Sequence, residues 1–101
     1  MHTTHYLIIG ASHAALAALH AIRLADPQRD VTLVSREDAP PYSPTVLPYV
    51  VSGRSDPNGI ALRDQGYFAA QGVRYLRGRG VAGIDSANNV ATLSDGEAIA
   101  Y

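Results

Sequence analysis

The stretch "HYLIIGASHAAL", from His5 to Leu16, constrains the fold of this 101-residue chain more than any other part. A short apolar run, Tyr6–Ile9, leads directly into a glycine, and the residues that follow are rich in alanine, the strongest helix former. A continuous apolar run suits a strand that is buried on both faces of a parallel sheet. The stretch therefore predicts a strand, a tight turn and then a helix over His13–Ala25.

The residues after this helix predict a second parallel strand. Asp26-Pro27 ends the helix, because proline cannot continue the hydrogen-bond ladder and restricts the residue before it. Val31–Ser35, "VTLVS", is rich in β-branched residues, which favour strands. Together the elements form a βαβ unit, whose crossover should be right-handed. The first third of the chain thus indicates an α/β fold.

The sequence changes character after the second strand. Four prolines lie between Pro40 and Pro48, too many for a regular helix or a central strand. We expect a structured loop here, followed by a short helical segment near Val46–Ser52 that Gly53 ends.

The last forty or so residues are predicted to be one helix and then strands. The helix covers Leu62–Gln71, with Gly72 as its stop signal. Asn88-Asn89 and Asp95-Gly96 supply turns, since Asn and Gly tolerate positive φ. The four predicted strands are Val73–Leu76, Val81–Ile84, Val90–Leu93 and Ala98–Tyr101. The last strand has neither a cap nor a polar tail, so we expect the chain to be a piece of a longer protein.

The turn after the first strand occupies the place of the phosphate-binding fingerprint G-x-G-x-x-G, whose glycine positions are here Gly10, Ser12 and Ala15. Gly10 keeps the tight turn, Ser12 lets a phosphate approach and can donate a hydrogen bond, and Ala15 keeps the helix close. Free amides near Ser12–Ala14 would face the phosphates at the positive end of the helix dipole. The alternative is a strand that Ser12 caps into a packed helix without a ligand. Two alternatives are likewise open for His13: its imidazole would lie near the pyrophosphate or the flavin edge, or it would be a solvated side chain of the first turn.

The end of the second strand leaves the cofactor open. An acidic residue there usually contacts the adenosine ribose, but this chain has Ser35-Arg36-Glu37. Arg36 could bind the 2′-phosphate of NADP, or lie over the adenine and pair with a phosphate of FAD. Glu37 could still reach the ribose. The remaining alternative is a solvated Arg-Glu pair at a strand end.

Composition excludes several other classes of function. The net charge of −1 gives no indication of a nucleic-acid or membrane-surface partner. The chain has no cysteine, which excludes disulfides, Cys-ligated metals and thiol catalysis within it. The histidines show no metal-ligand spacing. No apolar run is long enough to span a bilayer, and the N-terminus does not resemble a signal peptide, so a cytoplasmic location is expected.

The proline-rich loop separates the two cofactors. An ordinary NADP domain would continue into another helix, whereas this chain enters "PPYSPTVLPYVVSG". Here the sequence resembles the FAD domain of the pyridine nucleotide-disulfide oxidoreductase superfamily, in the branch of coenzyme A-disulfide reductases, NADH oxidases and ferredoxin or rubredoxin reductases. The resemblance covers the whole chain, through "GASHAA", "VTLVSRE", "PPYSPTVLPY", "LRDQGYFAAQGV" and "GRGVAGID…NNVATLSDG".

This resemblance implies a fold, a cofactor and a type of partner. The fold is an α/β, FAD/NAD(P)-binding Rossmann-like three-layer fold with a parallel sheet and a β-meander. Residues 1–101 would be the N-terminal portion of the FAD-binding domain, and the nicotinamide domain would lie beyond Tyr101. FAD would be the cofactor and NAD(H) the co-substrate, bound by that further domain. Electrons would pass between NAD(H) and a redox partner protein or subunit.

The resemblance also implies which residues hold FAD. Gly10–Ala14 match the pyrophosphate turn, and Ser35 stands in the adenosine-contacting strand end, where many relatives have Glu. Ser43-Pro44 lie where the loop passes the isoalloxazine, although reductases of small redox proteins often carry Arg at the position of Pro44. Val81 matches the residue whose backbone meets the adenine. The implied cofactor-binding residues are Gly10, Ala11, Ser12, His13, Ala14, Ser35, Arg36, Ser43, Pro44 and Val81.

Thr45 aligns with the redox-active cysteine of the disulfide reductases. A threonine hydroxyl forms neither a thiolate nor a mixed disulfide, so electrons are expected to pass directly between the flavin and another carrier. We predict no catalytic acid or base. Two alternatives stay open, an NADP-binding Rossmann domain that uses Arg36, and a non-catalytic scaffold subunit that keeps the fold.

Overall fold

The computed structural model describes residues 2–38, 51–53 and 65–101. In chain order the elements are β1 (His2–Thr3), β2 (Tyr6–Ile9), α1 (His13–Ala25), β3 (Val31–Ser35), α2 (Gln65–Ala70), β4 (Val73–Arg77), β5 (Val81–Asp85), β6 (Val90–Leu93) and β7 (Ala98–Ala100). The described strands form two sheets, a parallel sheet in the order β2-β3-β4 and a second sheet in the order β1-β7-β6-β5. In the second sheet β5, β6 and β7 form an antiparallel meander, to which β1 adds in parallel.

The parallel sheet contains the predicted βαβ unit. Tyr6 of β2 lies opposite Val31 of β3, which in turn lies opposite Val73 of β4. All five residues of β3 are buried, since this strand has a neighbour on each side and a layer on each face. The predicted bounds of β2, α1 and β3 are confirmed.

The burial expected for β2 was wrong. Only Ile8 of this strand is buried, and Ile9 is 50% exposed. Among the described strands, β2 has a hydrogen-bonded neighbour on one side alone. A continuous apolar run therefore marked an edge of the described sheet, and β3 is the strand buried on both faces.

The alternation of side chains along the parallel strands creates two cores. One face packs against α1 and α2, and the other packs against the meander sheet, so the described residues form three layers. The core under the helices comprises Ile8, Ala15, Leu19, Val31, Leu33, Phe68 and Val73. The core between the sheets comprises Val34, Leu93 and Ile99, with Leu7, Leu76 and Val81 packed against it. The Rossmann-like three-layer α/β architecture expected from the sequence is confirmed.

The remaining elements follow the predictions with small differences. The four C-terminal strands are present with ends shifted by at most one residue. Asn89 and Gly96 adopt φ of +54° and +89° at the predicted turns. Strand β1 was not predicted, because a two-residue strand carries no sequence pattern and depends on pairing with the distant β7. None of the helices in the described ranges is long and apolar enough to cross a membrane.

Two predicted helices fall partly outside the described residues. Residues 65–70 of the predicted Leu62–Gln71 helix are helical, and its first three positions lie outside. Of the segment predicted near Val46–Ser52, only its last two residues are described; Val51 is helical and Ser52 begins a turn that includes Gly53, at φ +81°. Ser43, Pro44 and Thr45 also lie outside the described residues.

Candidate functional site

Three segments meet at the edge of the parallel sheet where its strands end, which we call the carboxyl edge. They are the turn Gly10–Ala14 after β2, Ser35–Asp38 after β3, and Gly78–Val81 after β4. Main-chain hydrogen bonds hold the first and third segments to β3 and its end: Gly10 N–H donates to Val34 O (2.8 Å), Arg79 N–H to Ser35 O (2.9 Å), and Gly78 N–H to Glu37 O (3.3 Å). The structure thus brings together eight of the ten sequence-predicted residues, Gly10, Ala11, Ser12, His13, Ala14, Ser35, Arg36 and Val81.

The turn after β2 is built on a glycine at positive φ. Gly10 adopts φ +113°, which side-chain-bearing residues rarely adopt. A Cβ placed on Gly10 would meet no atom of the described residues within 4 Å. Ala15, at the third fingerprint position, is buried in the core between α1 and the strands, which keeps the helix close.

The beginning of α1 carries amides that the helix itself leaves without an acceptor. Ser12 is the N-cap, and its carbonyl accepts the first helical hydrogen bond from Leu16 N–H (3.0 Å). The amides of the first turn precede that bond and have no acceptor within the helix. The Ser12 hydroxyl makes no capping bond, and the first turn carries no acidic side chain. The alternative in which Ser12 merely caps the helix therefore lacks its defining hydrogen bond, and the positive end of the helix dipole meets no acidic side chain of its own first turn.

Ser35 turns its side chain into the protein. It is 8% exposed, and its hydroxyl accepts a hydrogen bond from Glu37 N–H (3.3 Å). The same hydroxyl bonds Tyr75, whose pKa is raised by burial while the Ser35 bond and the charge of Arg77 act against that rise. A ligand that approaches the end of β3 thus meets the exposed Arg36 and Glu37 rather than Ser35.

Arginine side chains concentrate at the carboxyl edge. A Cβ on Gly80 would lie 3.6 Å from Arg36 Nε and 3.8 Å from its Cγ, so the missing side chain of Gly80 gives Arg36 room to lie over the loop. Arg77 Nε lies 3.4 Å from Asp38 Oδ1. Among the described residues, no carboxylate lies within ion-pair distance of Arg36. Arg36 is therefore the guanidinium at this edge that could pair with an anionic ligand, whereas the charge of Arg77 is met by Asp38. Sequence reasoning missed the Arg77–Asp38 pair, because the two residues are distant in the chain.

The other features of the described residues do not add to this site. A cavity of about 330 Å³ lies at the opposite edge, where β3 and β4 begin, and is lined by Thr3, Asp30, Val31, Thr32, Gly72, Val73 and Arg74. Within the described ranges, no group of three or more His or acidic side chains could hold a metal ion.

Known proteins share both the sequence and the shape of this chain. The chain is 48% identical over 98 residues to the NADH-dependent phenylglyoxylate dehydrogenase subunit epsilon of Aromatoleum evansii, covering 97% of this chain and 23% of that protein. The structure matches NADH:rubredoxin oxidoreductase from Clostridium acetobutylicum (TM-score 0.87, 25% identity, 98% of this chain and 26% of that one). It also matches the ferredoxin reductase for the CYP199A2 system from Rhodopseudomonas palustris (TM-score 0.83, 29% identity, 100% and 24%).

These matches identify a family, although each of them covers only part of the relative. The chain spans about a quarter of the length of these relatives. The family model described as pyridine nucleotide-disulphide oxidoreductase matches residues 4–101, which is nearly the whole chain. This coverage includes all three segments of the carboxyl edge. The chain belongs to the pyridine nucleotide-disulphide oxidoreductase family.

Proposed function

We propose that this chain is the FAD-binding part of a flavoprotein oxidoreductase that transfers electrons between NAD(H) and a partner redox centre. The observation that carries the proposal is the turn after β2, which combines the positive φ of Gly10, uncrowded by any described residue, with a start of α1 that has no side-chain cap. Relatives named as rubredoxin and ferredoxin reductases and as a subunit of an NADH-dependent dehydrogenase support it. Residues 1–101 would form the N-terminal portion of the FAD-binding domain.

The residues of the carboxyl edge suit the parts of FAD. The amides near Ser12–Ala14, at the start of α1, would bind the two negative charges of the pyrophosphate together with the Ser12 hydroxyl. Arg36, lying over Gly80, would pair with a phosphate or cover the adenine, which the backbone of Val81 would also contact. When bound, FAD would supply the redox chemistry that links hydride transfer to single-electron transfer. The protein would bind and orient it.

The ribose contact is assigned to Glu37. Ser35 is engaged with Tyr75 and with the Glu37 amide, which leaves its hydroxyl facing the protein. Glu37 is exposed at the same strand end, and a carboxylate there can accept hydrogen bonds from ribose hydroxyls. Its main-chain carbonyl is held by Gly78, so the segment that carries the carboxylate is fixed.

The predicted roles of the proline-rich loop belong to the proposal as well. Ser43 and Pro44 would pass the isoalloxazine, and Thr45 would stand where disulfide reductases have their cysteine. With no cysteine in the chain, electrons would leave the flavin without a thiol intermediate. A partner redox protein or subunit would accept or supply them, and the protein would act in the cytoplasm.

The visible spectrum of the cofactor released from the full-length protein tests the proposal. We expect a flavin spectrum, and chromatography should identify the flavin as FAD. A protein purified without flavin, and unable to take up added FAD, would contradict the proposal.

One observation supports an alternative cofactor, and titrations with FAD and with NADPH distinguish the two. Arg36 lacks an ion-pair partner among the described residues and could bind the 2′-phosphate of NADP. We expect FAD to bind more tightly than NADPH, and Glu37→Gln to weaken FAD binding. Tight NADPH binding that falls when the 2′-phosphate is absent would instead support an NADP domain, and a protein that assembles but binds neither would be a scaffold.

A further inference from the structure

A second set of contacts reaches the carboxyl edge from the meander sheet. The turn between β6 and β7, residues 94–97, lies against the loop Gly78–Gly80. Ser94 N–H donates to Gly80 O (2.8 Å), and Arg79 Nη1 donates to Glu97 Oε2 (2.5 Å). Arg79 Nε also lies 3.6 Å from Asp95 Oδ2. The meander turn therefore holds the loop through one main-chain bond and two carboxylates.

The loop is held from the opposite side by the end of β3. The main-chain amide of Arg79 donates to Ser35 O, and the amide of Gly78 donates to Glu37 O. Arg79 is thus fixed at its backbone by β3 and at its guanidinium by the meander turn. Val81 begins β5 two residues later, so the position of this loop determines where its backbone lies.

Glu97 is the central group of this arrangement. One of its carboxylate oxygens accepts the hydrogen bond from Arg79, and the other pairs with Nε2 of His2. The second ring nitrogen of His2, Nδ1, lies 3.0 Å from Arg74 Nη1 and can accept from it only when unprotonated. Both oxygens of Glu97 are therefore engaged, which restrains the carboxylate that orients Arg79.

We propose that Glu97 is a positioning residue for the adenosine end of the dinucleotide, acting through Arg79 on Gly80 and Val81. The inference rests on the proposed function, because it takes the carboxyl edge to be the dinucleotide site. Loss of the Glu97 charge weakens the hold on the guanidinium of Arg79 and leaves Asp95 as the carboxylate beside it. The loop beneath Arg36 then moves more freely, while the turn Gly10–Ala14, on the other side of β3, keeps its geometry.

Titration of the full-length apoprotein with ADP tests the inference, since ADP carries the adenosine diphosphate that FAD and NADP share. We expect Glu97→Gln to weaken ADP binding by roughly three- to tenfold, the size of effect typical of residues that act through a neighbour. The matched control is Asp85→Asn, which removes the same charge at the far end of β5, where Asp85 contacts Asn88. The control should leave ADP affinity unchanged.

Hydrogen exchange distinguishes positioning from a general loss of stability. In Glu97→Gln, amide exchange should accelerate in residues 78–81 and stay unchanged in the turn Gly10–Ala14. Equal acceleration in both segments, or unchanged ADP affinity in a folded Glu97→Gln protein, would overturn the inference. If Glu97→Gln does not fold, Arg79→Lys, which keeps the charge but loses the planar fork, must weaken ADP binding instead.

The outcomes also separate this inference from the proposed function. A wild-type protein that binds ADP and FAD, with affinities that neither Glu97→Gln nor Arg79→Lys changes, overturns the positioning role alone. A wild-type protein that binds neither ADP nor FAD overturns both.

Discussion

At the scale of single residues, Ser12 offers the sharpest test of the carboxyl edge, because its hydroxyl makes no capping bond and its neighbours are first-turn amides. We expect Ser12→Leu to weaken FAD binding about tenfold to a hundredfold, since a charge-assisted hydrogen bond contributes about 1.5–3 kcal/mol. Quenching of flavin fluorescence would measure the affinity. Ala18→Leu, on the exposed side of α1, is the matched control and should bind FAD like the wild type. Equal losses in the two variants would contradict the assignment.

Among the described residues, the side chain of Arg23 joins several separate segments. Its Nε donates to Gln71 O (2.9 Å), and its Nη1 donates to Arg29 O (2.7 Å) and Asp26 O (3.2 Å). Its Nη2 donates to Gly72 O (3.3 Å). One guanidinium thus fastens the end of α1 to the loop before β3 and to the loop before β4.

We expect Arg23→Lys to lower the free energy of unfolding by about 1–3 kcal/mol, because an ammonium cannot reproduce the planar fork. Urea unfolding would measure the change. Arg29→Lys alters a side chain that is 62% exposed and should change the free energy by less than about 0.5 kcal/mol. A similar loss in both variants would mean that the fork of Arg23 is unimportant.

At the scale of elements, the connection between α1 and β3 depends on one carboxylate. Asp26 Oδ1 accepts hydrogen bonds from the amides of Gln28 (3.3 Å) and Arg29 (3.2 Å), and Oδ2 accepts one from the hydroxyl of Tyr6 (3.1 Å). Burial acts to raise the pKa of Asp26, but these hydrogen bonds and the charge of Arg29 outweigh it. The net effect holds the pKa below its ordinary value.

This lowered pKa predicts the direction of a pH effect. A carboxyl that binds protons less readily in the folded state stabilises the fold fully above its unfolded pKa of about 3.9, and the stabilisation is lost as the pH falls through the folded value. We therefore expect Asp26→Asn to reduce the steepness with which the free energy of unfolding falls below about pH 4. Urea unfolding at a series of pH values would measure this slope, and an unchanged slope would contradict the role of Asp26.

Elements with strong local signals were predictable from the sequence. The alanine-rich run and Asp26-Pro27 determined the bounds of α1, and the β-branched run determined β3. Strand β1 was not predictable, since its pairing partner is nearly a hundred residues away. The same physical reason applies to the candidate site. The turn at Gly10 has a fingerprint, whereas the engagement of Ser35 with Tyr75 depends on tertiary contacts.

At the scale of the whole molecule, the two sheets are held together by a small apolar core. Ile99 is 0% exposed between them, whereas Ile84, on β5, is 58% exposed. We expect Ile99→Ala to lower the free energy of unfolding by about 2–5 kcal/mol, the usual cost of a large cavity. Ile84→Ala should change it by less than about 0.5 kcal/mol. Denaturant unfolding would compare the two, and equal effects would contradict the three-layer packing.

The main-chain hydrogen bonds that join the three segments of the carboxyl edge have an evolutionary consequence. Contacts between amides and carbonyls do not depend on which side chains the segments carry. Mutations can therefore accumulate at the positions that face a ligand, changing which molecules bind, while the frame that presents them is inherited intact. A chain built on such a frame can therefore change what binds at this edge without changing its fold.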